Sequence, residues 1–354
     1  MISGLYKGVF SSQSKKKAAR KEIELRIDVD GERPMNIVSG DIYSLSGTKR
    51  KYVSSFKFGG VKKTKNSLNQ ILLAQDSGEF DPSSESFKKI EVSIPSNASP
   101  FKATVKLLDR KSNELACLCR YKSKYFRTVH VEHDYEEDIV PFESYNINDL
   151  LPSSHRRSHR LTIAGAYADA GIRLVITNKT QSRIPHPKRI PRQGAIWTDS
   201  ELDKAMVKHF SQLSELPKWD VWLFSANEYA ISNVKGLMLA HKRKQRVGCV
   251  VFQRATGWRF SQEKRILLFI YVHELGHCFN LPHPWHKHKP NHTTLNDDPL
   301  LSWMNYPWGY FSKNKSQDFW KLFNFQFSDS ELIHLRHAFR NDIIFGGNTT
   351  VDEV

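Results

Sequence analysis

The chain has 354 residues, of which 39% are hydrophobic and 25% are charged, and its formal net charge at pH 7 is +16. This length and composition exclude a disordered chain and are sufficient for two folded domains. The positive charge favours acidic partners, but the lysines and arginines are scattered along the chain in short runs. We therefore expect a solvated basic surface rather than a nucleic-acid binding site.

Cellular location can be inferred from what the sequence lacks. The N-terminus has no apolar run long enough for a signal peptide, and no stretch of about 18 apolar residues could form a transmembrane helix. The four cysteines follow no pattern typical of a disulfide framework or a cysteine-based zinc site. These features predict a cytoplasmic chain with no membrane span, and they leave export by another route open. The cysteines are Cys117, Cys119, Cys249 and Cys278.

The first third of the chain has the pattern of β-strands. In "EIELRIDVDG" (Glu22–Gly31), apolar residues alternate with polar ones and the segment ends on a turn glycine. The same alternation recurs in "SFKKIEVSIP" and "FKATVKLLD". Several short strands without a helical period predict an all-β domain over residues 1–122, either a small sandwich or a barrel.

The remaining residues, 123–354, predict a second domain of mixed helices and strands, so the fold class is α+β. A strand in "RTVHVEHDY" is followed by a helix ending near Gly171 and by a strand in "IRLVITN". "TDSELDKAMVKHFSQL" predicts a helix capped by Thr198 or Asp199. Three more strands, "WDVWLFSAN", "KGLMLA" and "VGCVVFQ", precede a long helix that begins near Ser261.

The long helix carries a pattern of residues typical of a metal site. His273 and His277 are four residues apart, so their rings leave the same face of the helix and can bind one tetrahedral metal ion. Glu274 follows the first histidine and can reach a metal-bound water without binding the metal. His283 is the third candidate ligand, and three neutral imidazoles leave one coordination position open for water.

His283 can approach the metal only if the chain turns sharply after His277. Asn280 stands at the required point, and asparagine tolerates the left-handed conformation that ends a helix. Pro282 then prevents the helix from resuming. The alternative is that these are surface or core histidines. A chain with 15 histidines would show the full pattern by chance roughly once in a thousand such chains.

Two segments resemble the metzincin clan of zinc peptidases. "HELGHCFNLPH" is similar to the clan signature H-E-x-x-H-x-x-G-x-x-H, with Asn280 at the glycine position. "SWMNYPW" is similar to the Met-turn, in which Ser302, Met304 and Tyr306 match the motif. These features look most like serralysins and astacins. The chain departs from serralysins because it has neither glycine-rich calcium repeats nor an export signal.

The resemblance implies a fold and a set of roles. The fold would be a mixed five-stranded sheet over the active-site helix, with a C-terminal subdomain after Asn280. One catalytic Zn2+ would be bound by the three histidines, with Glu274 as general base and Met304 forming the floor of the site. Tyr306 would contact either the zinc or the reaction intermediate. The edge strand that holds substrate would include Gly236, Leu237, Met238 and Leu239.

Two functions follow as hypotheses. The first is a zinc metalloendopeptidase that cleaves a protein or peptide substrate. The basic surface is compatible with an acidic substrate. The second is a zincin-fold protein that binds zinc, has little peptidase activity and engages an acidic partner through its basic surface. The intact Glu274 favours the first. The loop histidines His286, His288 and His292 leave open a second metal site or a solvated basic loop.

Overall fold

The computed structural model describes the chain as a mixed α and β protein in which strands predominate. It divides into two compact units. The first contains Met1–Arg127 and Arg336–Arg340, and the second contains Thr128–Leu335 and Asn341–Val354. The described residues are 2–10, 20–47, 49–61, 64–65, 70–75, 78–82, 87–95, 102–109, 114–137, 139–140, 142–146, 160–176, 189–191, 196–254, 261–284, 301–307 and 319–348.

Ten described strands of the first unit form a single antiparallel sheet. The order of strands across this sheet is β5-β6-β8-β9-β10-β1-β2-β3-β4-β7. The strands are β1 (Gly4–Val9), β2 (Arg20–Asp28), β3 (Ile37–Ser46), β4 (Lys49–Phe58), β5 (Thr64–Lys65), β6 (Gln70–Gln75), β7 (Glu79–Phe80), β8 (Phe87–Pro95), β9 (Lys102–Asp109) and β10 (Glu114–Ser123).

The apolar residues of these strands form one core. On β2, the alternating side chains of Ile23, Leu25 and Ile27 are fully buried, and they join a cluster that extends across the sheet to Cys117 and Cys119 on β10. Side chains two residues apart share one face of a strand, so a single sheet can enclose this core only if it curves around it. Of the two predicted forms, the described strands fit a barrel-like sheet and not a sandwich of two sheets.

The first unit also contains buried charges. Arg26 donates two hydrogen bonds to the carboxylate of Asp41, at 2.6 and 3.0 Å. Arg336, from the C-terminal segment of this unit, donates to Asp28 at 2.9 Å, and the ring of His337 lies 3.1 Å from the same carboxylate oxygen. The pairing satisfies charges that would be costly to bury alone.

The second unit is built on a mixed sheet with five strands in the order β14-β11-β16-β18-β17, and a short strand β15 also pairs with β11. β11, β16 and β18 are parallel, whereas β17 is antiparallel to β18 and lies at the edge. These strands are β11 (Arg127–Glu136), β14 (Ile172–Ile176), β15 (Arg189–Ile190), β16 (Asp220–Ala226), β17 (Gly236–His241) and β18 (Lys244–Phe252). β12 (Tyr145–Asn146) and β13 (Arg160–Leu161) form a separate pair.

Local sequence features explain where α2 begins and why α3 is buried. Thr198 and Glu201 form a reciprocal capping box at the start of α2. α3 is apolar on most sides because it is buried against β17 and β18. The helices are α1 (Ile163–Asp169), α2 (Asp199–His209), a 3₁₀ helix (Leu213–Glu215), α3 (Ser261–Cys278), α4 (Phe319–Leu322), α5 (Asp329–His337) and α6 (Arg340–Ile343). The last two residues of α5 and the first residue of α6 belong to the first unit. No helix among the described residues is long and apolar enough to cross a membrane.

Candidate metal centre

The last two turns of α3 carry three of the candidate site residues. His273, Glu274 and His277 are all buried, although each bears a polar group. The four-residue spacing of the two histidines places both rings on one face of the helix, with ring centroids 4.6 Å apart. A buried helix face with two imidazoles and a carboxyl group requires partners for these groups.

A left-handed turn ends α3 and returns the chain toward this face. Asn280 has φ 65°, and its backbone N–H donates to the carbonyl of His277 at 2.8 Å. The next N–H, that of Leu281, donates to the carbonyl of Gly276 at 3.0 Å. These two bonds are those of a Schellman motif, in which asparagine is accepted after glycine. The side chain of Asn280 also donates to the carbonyl of Asp342 at 2.7 Å.

The turn brings His283 back to the two helical histidines. The Nε2 atoms of His273, His277 and His283 lie 3.1 Å from one another in all three pairs. Among the described residues, these three form the group that could hold a metal ion. Three nitrogens bound to a tetrahedral zinc at the usual distance of about 2.0–2.1 Å would be about 3.3–3.4 Å apart, so the observed triangle is close to that size.

Backbone carbonyls determine which ring nitrogens of His273 and His277 carry protons. Nδ1 of His273 lies 2.8 Å from the carbonyl oxygen of Trp303, and Nδ1 of His277 lies 2.8 Å from that of Leu281. A carbonyl only accepts, so both Nδ1 atoms donate and both Nε2 atoms carry lone pairs when the rings are neutral. Burial and the neighbouring His277 lower the pKa of His273 to about 3, which keeps that ring neutral at pH 7.

Two lone pairs that face each other at 3.1 Å repel, unless a cation lies between them. The ring geometry of His273 and His277 is therefore the geometry of metal ligands, and a metal ion that accepts imidazole nitrogen fits these residues. The hydrogen bonds to the carbonyls of Trp303 and Leu281 are the outer partners that usually orient such ligands.

Met304 lies directly against α3. It is fully buried, and a Cβ added to Gly276 would come within 2.3 Å of the Met304 sulfur. Gly276 therefore allows the methionine to reach the helix between the two candidate ligands, His273 and His277. Met304, the predicted floor under the histidines, therefore contacts Gly276 of "HELGH". The sequence gives no indication that these two residues approach each other so closely.

Tyr306 lies beside the imidazole rings. Its ring centroid is 4.7 Å from that of His283 and 5.4 Å from that of His273. Burial and the carboxyl group of Glu274 raise the pKa of Tyr306 to about 12. Its hydroxyl therefore keeps its proton at neutral pH and can donate a hydrogen bond.

Glu274 lies between the helix and the edge strand. Burial raises its pKa to about 8, and a bound cation nearby would oppose this shift because it stabilises the carboxylate. A Cβ added to Gly236, the first residue of β17, would lie 2.4 Å from Cγ of Glu274. Only glycine at position 236 therefore allows the strand to approach Glu274 this closely. The next residues of the strand, Leu237, Met238 and Leu239, are half-buried.

Some residues that complete this arrangement were not found by sequence reasoning. The carbonyls of Trp303 and Leu281 belong to the backbone, so no side-chain motif marks them. Comparison of the sequence with protein-family models and with curated proteins finds no match. The comparisons therefore show no family, and the resemblance to metzincins depends on the two sequence motifs. The predicted loop histidines, His286, His288 and His292, lie outside the described residues.

Proposed function

We propose that this protein is a zinc-dependent metalloendopeptidase of the metzincin type. The observation that carries the proposal is the presence of three converging imidazoles and a buried glutamate at one end of a single helix, next to a sheet edge. A purely structural zinc site would have four protein ligands, whereas three ligands with an adjacent carboxyl group are typical of hydrolytic zinc sites.

Zinc is the proposed ion because its common ligand set in hydrolases includes three neutral histidines. His273, His277 and His283 would hold it. When bound, zinc lowers the pKa of a coordinated water to about 7 and polarises a carbonyl group.

The remaining chemistry belongs to the side chains around the three histidines. Glu274 accepts the proton of the attacking water and later delivers it to the departing amine. Its placement against Gly236 holds the carboxyl group in a fixed position, which is what a proton-transfer group requires. The protonated hydroxyl of Tyr306 donates a hydrogen bond to the oxygen that becomes negative during attack.

β17 would bind the substrate main chain. One side of this strand pairs with β18, and β17 is last in the strand order of the described sheet. An extended peptide can add to such an edge by backbone hydrogen bonds, with little regard for side-chain identity. Because β17 begins beside Glu274, a peptide paired with it would pass the proposed catalytic group.

The proposal is tested by comparing wild-type protein with Glu274→Gln on a library of proteome-derived peptides. We expect cleavage by the wild type, its loss with a zinc chelator, and a loss of at least about 100-fold in Glu274→Gln with zinc still bound. Glu228→Gln is a matched control, since Glu228 is exposed and pairs with Arg254 in the same unit. If the wild type binds zinc but cleaves no peptide, the alternative of a zinc-binding protein with little peptidase activity is favoured.

A further inference from the structure

A buried carboxylate ties the segment of Met304 to helix α5, and the proposed reaction makes no use of it. Glu331, in the first turn of α5, is fully buried. One of its carboxylate oxygens accepts a short hydrogen bond from the hydroxyl of Ser302. The same oxygen accepts from the backbone N–H of Ser328 at 2.8 Å.

The simplest interpretation of Glu331 is a helix cap. Ser328 and Glu331 bond reciprocally, as in a capping box, because the Ser328 hydroxyl accepts from the Glu331 N–H at 3.3 Å. The same box occurs on α2, where Thr198 donates its backbone N–H to Glu201 at 2.9 Å. Glu201, however, is only half-buried, and its carboxylate bonds only to Thr198 among the contacts described. The bond to Ser302 is therefore the feature that distinguishes Glu331 from an ordinary cap.

Ser302 connects Glu331 to the turn that contacts His273, one of the three candidate metal ligands. While its hydroxyl donates to Glu331, it accepts from the backbone N–H of Met304 at 3.0 Å. The residue between them, Trp303, offers the carbonyl that receives Nδ1–H of His273 at 2.8 Å. A chain of hydrogen bonds thus runs from Glu331 through one tight turn to a ring of the metal centre. All of these groups are buried, so water cannot easily replace any of them.

We propose that Glu331 is a positioning residue for the metal centre. By holding the hydroxyl of Ser302, it fixes the turn that presents the Trp303 carbonyl to His273, and so sets the affinity of the three histidines for the metal ion. The inference rests on the proposed function, because it requires a metal ion at the histidines, and it extends that function to a residue that touches neither the metal nor the substrate.

The test is the zinc dissociation constant, measured by competition with a chromophoric chelator. We expect Glu331→Ala and Ser302→Ala each to weaken zinc binding by roughly 10-fold or more, as losses of outer partners of metal ligands usually do. The double variant should bind little more weakly than either single one, because both remove the same link. Glu331→Gln should retain most of the affinity, since its amide oxygen can accept the same two hydrogen bonds.

Glu201→Ala is the matched control, because it removes a capping glutamate of the same unit without a contact to the turn. It should leave the zinc dissociation constant unchanged although it removes one half of a capping box. Ser302→Ala leaves the capping box of α5 intact, so it carries the test even if Glu331→Ala does not fold. In cobalt-substituted protein, the visible absorption bands should shift in Ser302→Ala and remain unchanged in Glu201→Ala.

Two results would overturn the inference. Equal zinc affinity in the wild type, Glu331→Ala and Ser302→Ala would make Glu331 a helix cap only. An equal loss of affinity in Glu201→Ala would show that affinity follows general stability. A wild type that binds no zinc would remove the metal centre itself, so the failure of the proposed function is distinguishable from the failure of this inference.

Discussion

Substitution of Gly236 by alanine should separate catalysis from metal binding. The added Cβ would lie 2.4 Å from Cγ of Glu274 and 2.6 Å from its Cδ and Oε1. Carbon atoms in contact are normally about 3.5–4.0 Å apart, so the strand or the carboxyl group must move by roughly 1 Å. A displacement of that size at a reacting group costs on the order of 100-fold in rate, or about 2.7 kcal/mol in activation free energy.

The assay is the turnover of a cleaved peptide by Gly236→Ala, with zinc content measured in the same preparation. We expect kcat to fall on the order of 100-fold and zinc to remain bound, because no ligand is displaced. Gly59→Ala is the control for a glycine substitution, since a Cβ at Gly59 would meet no atom within 4 Å. Unchanged turnover in a zinc-loaded Gly236→Ala protein would refute the placement of Glu274 as the base held by the edge strand.

Three further predictions concern the metal and the pH dependence. Gly276→Ala should weaken zinc binding by at least about 10-fold, because its Cβ would overlap the Met304 sulfur. Adding Met304→Ala to this variant should restore part of the lost affinity. Equal zinc affinity in the wild type, the single variant and the double variant would contradict this contact. Zinc at 100 times its dissociation constant should stabilise the protein by about 2.7 kcal/mol in denaturant unfolding, and a chelator should abolish the gain; no change with zinc would argue against a folded-state site. His133, whose pKa burial lowers to about 4, stays neutral in the folded protein while the unfolded chain takes up a proton below about pH 6.5. Stability should therefore fall as pH drops from about 6.5 to 4, by up to about 3 kcal/mol, and His133→Gln should show a shallower fall; identical pH profiles would refute the assignment.

Local patterns account for the parts of the fold and the site that the sequence could predict. Thr198 and Glu201 form the capping box that starts α2, and the spacing of His273 and His277 on a helix follows from the helical period alone. Asn280 marks the turn because few residues tolerate its backbone conformation. Each of these features depends on residues within a few positions of one another.

The remaining contacts of the site are between residues distant in sequence. Gly236 meets Glu274 only because β17 lies at the sheet edge beside α3, and Gly276 meets Met304 only after the chain returns from beyond His283. A single sequence reports neither approach, because a glycine has many possible causes. The same holds for the bond between Glu331 and Ser302, since a capping glutamate has the same local pattern with or without it.

The division into two units also depends on contacts that a single sequence does not report. The alternating strands of the first third are visible in the sequence, but the curvature that makes one sheet enclose its core is not. The short segment Arg336–Arg340 belongs to the first unit, where Arg336 and His337 contact Asp28. Arg336 and His337 are also the last residues of α5, and nothing in the sequence distinguishes them from the rest of that amphipathic helix.

The zinc content of the dialysed protein tests the central claim most directly. Mass spectrometry of the wild type should find about one zinc ion per chain, as expected for a catalytic site with three histidine ligands. His283→Ala should lose this zinc, whereas His130→Ala should keep it, because His130 is exposed and pairs with Asp220 away from the three ligands. A wild type without zinc, or a His283→Ala protein that retains a full complement, would contradict the assignment of His273, His277 and His283 as the metal ligands.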